Sequence, residues 1–138
     1  MIYERKINYY ELDGMKIVHH SNYIRFLEEA RIYFLEQIGL PYSYIEKQGV
    51  MIPVLSVNAK YKSPAMFEET ICISVKIVEF NGIRMKIEYE IYKKDTNDIV
   101  LIGETTHCFT DSSMKPISLK KHYPEMYNVF EKFTNEIE

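Results

Sequence analysis

The chain has 138 residues, 46% of them hydrophobic and 27% charged, and 17 Lys+Arg against 20 Asp+Glu leave a formal charge of −3. That length fits one domain around one core, and the hydrophobic share excludes a disordered chain. No like-charge block or basic face is present, which argues against a binder of the nucleic-acid backbone. Two cysteines, Cys72 and Cys108, cannot build a disulfide scaffold. No apolar run approaches the roughly 20 residues that span a bilayer. The charged start, Met1-Ile2-Tyr3-Glu4-Arg5-Lys6, lacks the apolar core of a signal peptide, so a cytoplasmic chain with reduced thiols is expected. Twelve Tyr and seven Phe without Trp point to an interface or a pocket.

In chain order, Ile2 to Tyr10 reads as a strand in which Ile7 and Tyr9 alternate with polar neighbours. A connection containing Gly14 follows. From Ser21 the period changes. Tyr23, Phe26, Leu27, Ala30, Phe34, Leu35 and Ile38 recur three and four residues apart, the stripe of an amphipathic helix. Ser21 is placed to cap that helix, and Gly39 and Pro41 stop it. A short helical turn is expected over Ser43 to Gln48.

Beyond Gly49 the pattern is β. Val50 to Tyr61 reads as one long strand, with Pro53 signalling an edge or a bulge near its start. Ile71, Ile73, Val75 and Ile77 alternate with less apolar neighbours, and Asn81-Gly82 predicts a two-residue type I′ hairpin turn. Met85, Ile87, Tyr89 and Ile91 continue the alternation, Asp95 to Asp98 is a second turn, and Ile99 to Phe109 is another strand. Lys120 to Ile137 reads as a C-terminal helix that begins near Pro124. The order is strand, long helix, four strands in an antiparallel meander, then helix. It predicts an α+β layer whose sheet wraps its apolar face around the long helix. Such a sheet leaves an edge that a second copy can pair with.

No glycine-rich phosphate loop and no nucleophile elbow is present. His19 and His20 are adjacent, the wrong spacing for two ligands on one helical face, and His107 and His122 stand alone, so no metal site is expected. The dense polar segment runs from Tyr9 to Tyr23 and places Glu11, Asp13, Gly14, His19 and His20 just before a helix N-terminus. Unpaired N–H groups and the dipole there favour developing negative charge, and a nearby carboxylate can act as base or nucleophile. An ordinary polar loop capped by Ser21 fits the same residues.

The segment resembles hotdog-fold thioesterases of the 4-hydroxybenzoyl-CoA thioesterase type, including the short acyl-CoA thioesterases associated with the Tol-Pal system. Tyr9, Glu11, Asp13, Val18, His20, Asn22 and Tyr23 match their motif in register, and Glu28-Glu29-Ala30-Arg31 follows on the helix. Ile38-Gly39-Leu40-Pro41 and Tyr61-Lys62-Ser63-Pro64-Ala65 resemble later landmarks of that family. The resemblance implies a single hotdog domain over residues 1–138, a five-stranded antiparallel sheet wrapped around a long central helix, with a C-terminal helix. It implies hydrolysis of acyl-CoA or aroyl-CoA without a cofactor, in a homodimer or homotetramer whose sites lie between subunits.

Carried over by position, Asp13 is the catalytic carboxylate, His20 lines the thioester site and Tyr9 helps form it. Backbone N–H groups near His20 and Ser21 would hold the oxyanion. Tyr23 would border the acyl pocket with Phe26, and Lys16, Lys60 and Lys62 are candidates for the CoA phosphates. Glu11 is expected to support the site rather than catalyse. Leu12 and Lys16 depart from the family, which usually has a small polar residue and a glycine there. A side chain at 16 would crowd the loop, change its backbone angles, or bring a positive charge to the CoA phosphates. Two other readings remain, an acyl-carrier-protein thioesterase and a non-catalytic hotdog ligand-binding or scaffolding module.

Overall fold

The computed structural model describes residues 1–136. Five strands form one antiparallel sheet: β1 (Ile2–Lys6), β2 (Val54–Tyr61), β3 (Thr70–Phe80), β4 (Arg84–Lys93) and β5 (Ile99–Cys108). Four helices accompany them: α1 (His20–Gln37), α2 (Tyr42–Lys47), α3 (Leu119–His122) and α4 (Pro124–Lys132). The expected apolar stripe of α1 is its buried face, with Tyr23, Phe26, Leu27, Ala30, Phe34 and Leu35 packed on the sheet. Facing it are Ile71, Ile73, Val75 and Ile77 of β3 and Ile87 and Ile91 of β4, all buried. Each such side chain contributes about 1.5–3 kcal/mol when taken out of water.

The strand order is β1-β3-β4-β5-β2, which corrects the expected four-strand meander. Only β3, β4 and β5 follow one another as neighbours. β2 pairs instead with β5 at the far edge, and the connection over residues 62–69 carries the chain back across to β3. Alternating patterns state which face of a strand is buried and say nothing about its neighbours. Gly103 of β5 explains how β2 fits there. A Cβ at that position would lie 3.2 Å from the Asn58 carbonyl oxygen and 3.5 Å from Leu27 of α1, so helix and edge strand close over bare backbone. Pro53 precedes the edge strand, whose register shifts between Val54 and Ser56.

Several boundaries differ from expectation, among them that of β2, which begins at Val54 rather than Val50. β1 ends at Lys6, and Tyr9 to Glu11 form a single 3-10 turn, so Tyr9 is 74% exposed rather than alternating in a strand. The β3–β4 hairpin has a three-residue loop over residues 81–83, in which Gly82 alone carries a positive φ, of 86°. Asn81 Oδ1 accepts the Ile83 and Arg84 N–H groups at 2.9 and 2.8 Å, a side-chain turn that holds Asn81 out of the type I′ geometry. The C-terminal helix is split. Pro124 disfavours helical backbone at the residue before it, and Tyr123 (φ −139°, ψ 64°) separates α3 from α4. Ile137, the expected end of that helix, lies outside the described residues.

A polar chain crosses the core beneath α1. Arg31 Nη1 donates to Tyr89 OH at 3.1 Å, Tyr89 OH lies 2.6 Å from Thr105 Oγ1, and that oxygen lies 2.8 Å from His107 Nε2. Arginine can only donate, so Tyr89 OH accepts from Arg31, while the direction of the two further contacts follows the His107 tautomer. His107 is fully buried, and its Nδ1 faces the Pro53 and Ile52 carbonyls without reaching a hydrogen bond. Burial, and next the charge of Arg31, lower its pKa from 6.5 to about 4.

Candidate active site

The loop between β1 and α1 is held by a carboxylate that sequence reasoning placed in support. Glu11 is only 6% exposed. Its Oε2 lies 2.8 Å from Arg5 Nη1 of β1, and its Oε1 accepts the Asn8 N–H at 2.8 Å. The Glu11 carbonyl oxygen accepts the His19 N–H and the Asn22 side-chain amide, each at 2.9 Å. Arg5 also pairs with Glu29 of α1 at 3.3 Å and stacks over the Phe26 ring at 4.1 Å. One residue thereby joins the edge strand, the loop and the helix start. Ion pairs this sheltered stabilise mainly by fixing geometry, because losing one partner strands the other charge.

Asp13 is arranged differently. Its Oδ1 accepts the Met15 N–H at 2.7 Å and the Ile17 N–H at 3.4 Å. Its Oδ2 has no hydrogen-bond partner among the described residues. The backbone closes the same turn, with Asp13 N–H to Ile17 O at 2.8 Å and Lys16 N–H to Asp13 O at 3.1 Å. Lys16 has a φ of 64°, the left-handed conformation that glycine adopts at no cost. The loop thus holds a glycine-like backbone at this position and carries a lysine side chain on it.

At the helix start the capping residue is His19, not Ser21. His19 Nδ1 accepts the Ser21 N–H at 3.2 Å, and Ser21 Oγ lies 2.8 Å from the same nitrogen. The helix begins two residues earlier than its polar cap signal implied, so Ser21 falls inside it. This removes the Ser21 amide from the pool of free donors and leaves the His20 N–H without a protein acceptor among the described residues. The His20 ring stacks on His19 at 4.3 Å, and the His20 carbonyl faces the Tyr61 hydroxyl at 3.4 Å.

Two cavities meet at Asp13. The first, of about 370 Å³, brings Asp13 together with His20, Tyr23, Tyr61, Lys62 and Ser63. Tyr23 is buried and its hydroxyl accepts the Ala65 N–H at 3.2 Å; burial raises its pKa. The second, of about 360 Å³, is lined by Asp13, Tyr9, Leu12, Lys16, Met66 and Phe67. Tyr9 meets Phe67 edge-on at 5.5 Å.

The expected site residues are therefore divided between the two. Asp13, His20, Tyr23 and Lys62 share the first cavity, and Tyr9 and Lys16 lie in the second. Lys60 reaches neither. It stands opposite Ile102 of β5, on the sheet face away from α1, because the side chains of β2 alternate. Phe26 is buried under Arg5 and borders neither cavity. Met66 and Phe67 were missed; their only signal is a pair of large apolar residues in a turn. No cluster of metal-binding side chains occurs among the described residues, and no helix is long and apolar enough to cross a membrane.

A five-stranded antiparallel sheet wrapped on one helix, with an acid-bearing loop at the start of that helix, is the architecture of the hotdog thioesterases. The chain belongs to the thioesterase-like superfamily, whose family model matches residues 7–129, and is by that membership a thioester hydrolase. It is 33% identical over 130 residues, covering 94% of both chains, to a putative acyl-CoA thioesterase, YneP, of Bacillus subtilis. A putative esterase of Aquifex aeolicus is 33% identical over 125 residues, 91% of this chain and 95% of its own. Among solved structures, a DHNA-CoA thioesterase from Staphylococcus aureus superposes with a TM-score of 0.90 at 27% identity, covering 95% of this chain and 88% of that one.

Proposed function

We propose that the protein hydrolyses acyl-CoA or aroyl-CoA thioesters to the free acid and CoA, with Asp13 as the reacting carboxylate. The observation that carries this reading is the unspent Asp13 Oδ2 in the same cavity as the unspent His20 N–H. A carbonyl lying between them has an anionic base or nucleophile on one side and, on the other, a donor at the positive end of an 18-residue helix. Oδ2 takes a proton from a water whose oxygen adds to the carbonyl carbon, or attacks that carbon itself to give a mixed anhydride that a water then hydrolyses, restoring Asp13. On either route the C–S bond breaks, and the departing thiolate takes up a proton. His20 flanks the same carbonyl, and Lys62 stands where a phosphate of CoA can approach.

The apolar surface supports a homodimer or homotetramer with sites between subunits. Leu55, Val57 and Tyr61 of the edge strand and Ile24 and Ile32 of α1 are all exposed. Light scattering showing a monomer at micromolar concentration would count against that assembly. An acyl-carrier-protein substrate is less well served, because an acidic carrier needs a basic surface and Lys16 and Lys62 are the cations lining the two cavities.

The test is release of free thiol from a panel of acyl- and aroyl-CoAs by wild type and Asp13→Asn. Asp13-dependent hydrolysis supports the reading. A variant as fast as wild type sinks the assignment of the carboxylate, and no turnover on any thioester favours a binding module.

A further inference from the structure

Asn22 stands half-buried in the first turn of α1 and lines neither cavity. Its Nδ2 donates to the Glu11 carbonyl oxygen at 2.9 Å. Only the nitrogen of its amide can serve there, because a carbonyl oxygen accepts. Among the described residues this is the one hydrogen bond that a side chain of α1 makes to the loop over residues 9–18.

The rest of the loop is tied to itself and to the connection after β2. Leu12 and Val18 bridge, and the Asp13 N–H reaches the Ile17 carbonyl oxygen at 2.8 Å. On the other side, the Val18 N–H reaches the Ala65 carbonyl oxygen at 2.9 Å. The second donor to the Glu11 oxygen, the His19 N–H, closes the base of the loop from the loop's own end. Asn22 is what ties this small hairpin to the body of the helix. The two ends of its contact are placed alike. Glu11 lies two residues before Asp13, and Asn22 lies two residues after His20.

We propose that Asn22 is a positioning residue: by holding the Glu11 carbonyl oxygen, its amide sets the gap between the Asp13 carboxylate and the His20 N–H. This rests on the thioesterase reading for what the gap receives, and deepens it by naming the side chain that fixes it. A carboxamide makes the tie without adding a charge beside Asp13. Rate is more sensitive to this contact than folding is. A reacting group misplaced by about 1 Å costs about 10²-fold in rate. The Glu11 oxygen, in contrast, keeps its His19 N–H when Asn22 is lost, so no buried carbonyl is stranded.

Two variants test it. Asn22→Leu keeps the shape and removes the donor, and Asn22→His returns a ring N–H at the same reach from the backbone. In thiol release from acyl- and aroyl-CoAs, kcat is expected to fall about 30-fold in Asn22→Leu with KM within about twofold of wild type. Asn22→His is expected to recover about a third of the wild-type kcat or more. Amide hydrogen exchange needs no substrate. In Asn22→Leu it is expected to quicken about tenfold at His19 and Asp13 and to stay unchanged at Ile87 in the core. A wild-type kcat in Asn22→Leu overturns the proposal, and so does a lost kcat with unchanged exchange at both loop amides. A loss accompanied by faster exchange at Ile87 also overturns it, because folding is then what fails. If wild type releases no thiol from any thioester while exchange behaves as expected, the tie between helix and loop stands and the catalytic reading falls.

Discussion

At the start of α1, Glu11 spends both carboxylate oxygens, on Arg5 and on the Asn8 amide, while Asp13 two residues later spends one. Midway along the same helix, Arg31 begins a chain through Tyr89 and Thr105 that ends on His107, where one nitrogen is also left unspent. The two unpaired atoms have opposite meanings. Asp13 Oδ2 borders two cavities, so water or substrate can satisfy it. His107 Nδ1 is sealed in the core, where an unsatisfied polar atom costs roughly 1–3 kcal/mol. A free polar atom is a tool where a ligand reaches it and a burden where none can.

The sharpest way to break this comparison is to alter the two loop carboxylates separately. Asp13→Asn keeps the Oδ1 contacts to the Met15 and Ile17 amides and removes the reacting charge. Thiol release should fall about 10³-fold with little change in thermal midpoint. Glu11→Ala should do the reverse at the level of folding. It leaves the sheltered Arg5 with only its longer contact to the half-exposed Glu29, and unfolding by urea should show a loss of about 3 kcal/mol. Pairing it with Arg5→Met should recover much of that stability, since no charge is then stranded. If Glu11→Ala melts like wild type, Glu11 does not hold the loop in the manner its contacts indicate.

The core chain is tested by pH. His107 has its pKa lowered from 6.5 to about 4 by burial, so the unfolded chain binds a proton that the folded one refuses. Its contribution is complete above pH 6.5, declines as pH falls from 6.5 to 4, and is absent below. The shift corresponds to about 3 kcal/mol over that window. Urea unfolding from pH 7 to 4 should show the decline in wild type and a shallower slope in His107→Gln. Equal slopes would mean that other groups carry the acid sensitivity.

The α1 stripe, the edge position of the Pro53 strand and the acid-bearing loop were all legible in the residues. Each is a local pattern with a local cause. The rest depended on what the chain packs against. Tyr9 left the expected strand because Glu11 reaches back to the Asn8 amide and closes a turn. Ser21 lost its capping role because His19, one residue ahead of the helix, offered a ring nitrogen to its N–H. Met66 and Phe67 reach the site across a connection distant from residue 13, tied to it by the bridge between Ile17 and Met66. The position of β2 beside β5 rests on Gly103 and Leu27, a pairing that no alternation in either segment records.

The smallest expected effect isolates the backbone of Lys16. A left-handed non-glycine residue costs about 1–2 kcal/mol, and glycine there loses part of that gain to the greater freedom of its unfolded chain. Lys16→Gly should therefore stabilise the protein by up to about 1 kcal/mol, read as a small rise in thermal midpoint. Lys16→Val should destabilise it, because a β-branched side chain fits poorly at a φ of 64°. The two variants remove the same charge, so their difference reports conformation alone. If both melt alike, the turn relaxes on substitution and the left-handed backbone at Lys16 carries no cost.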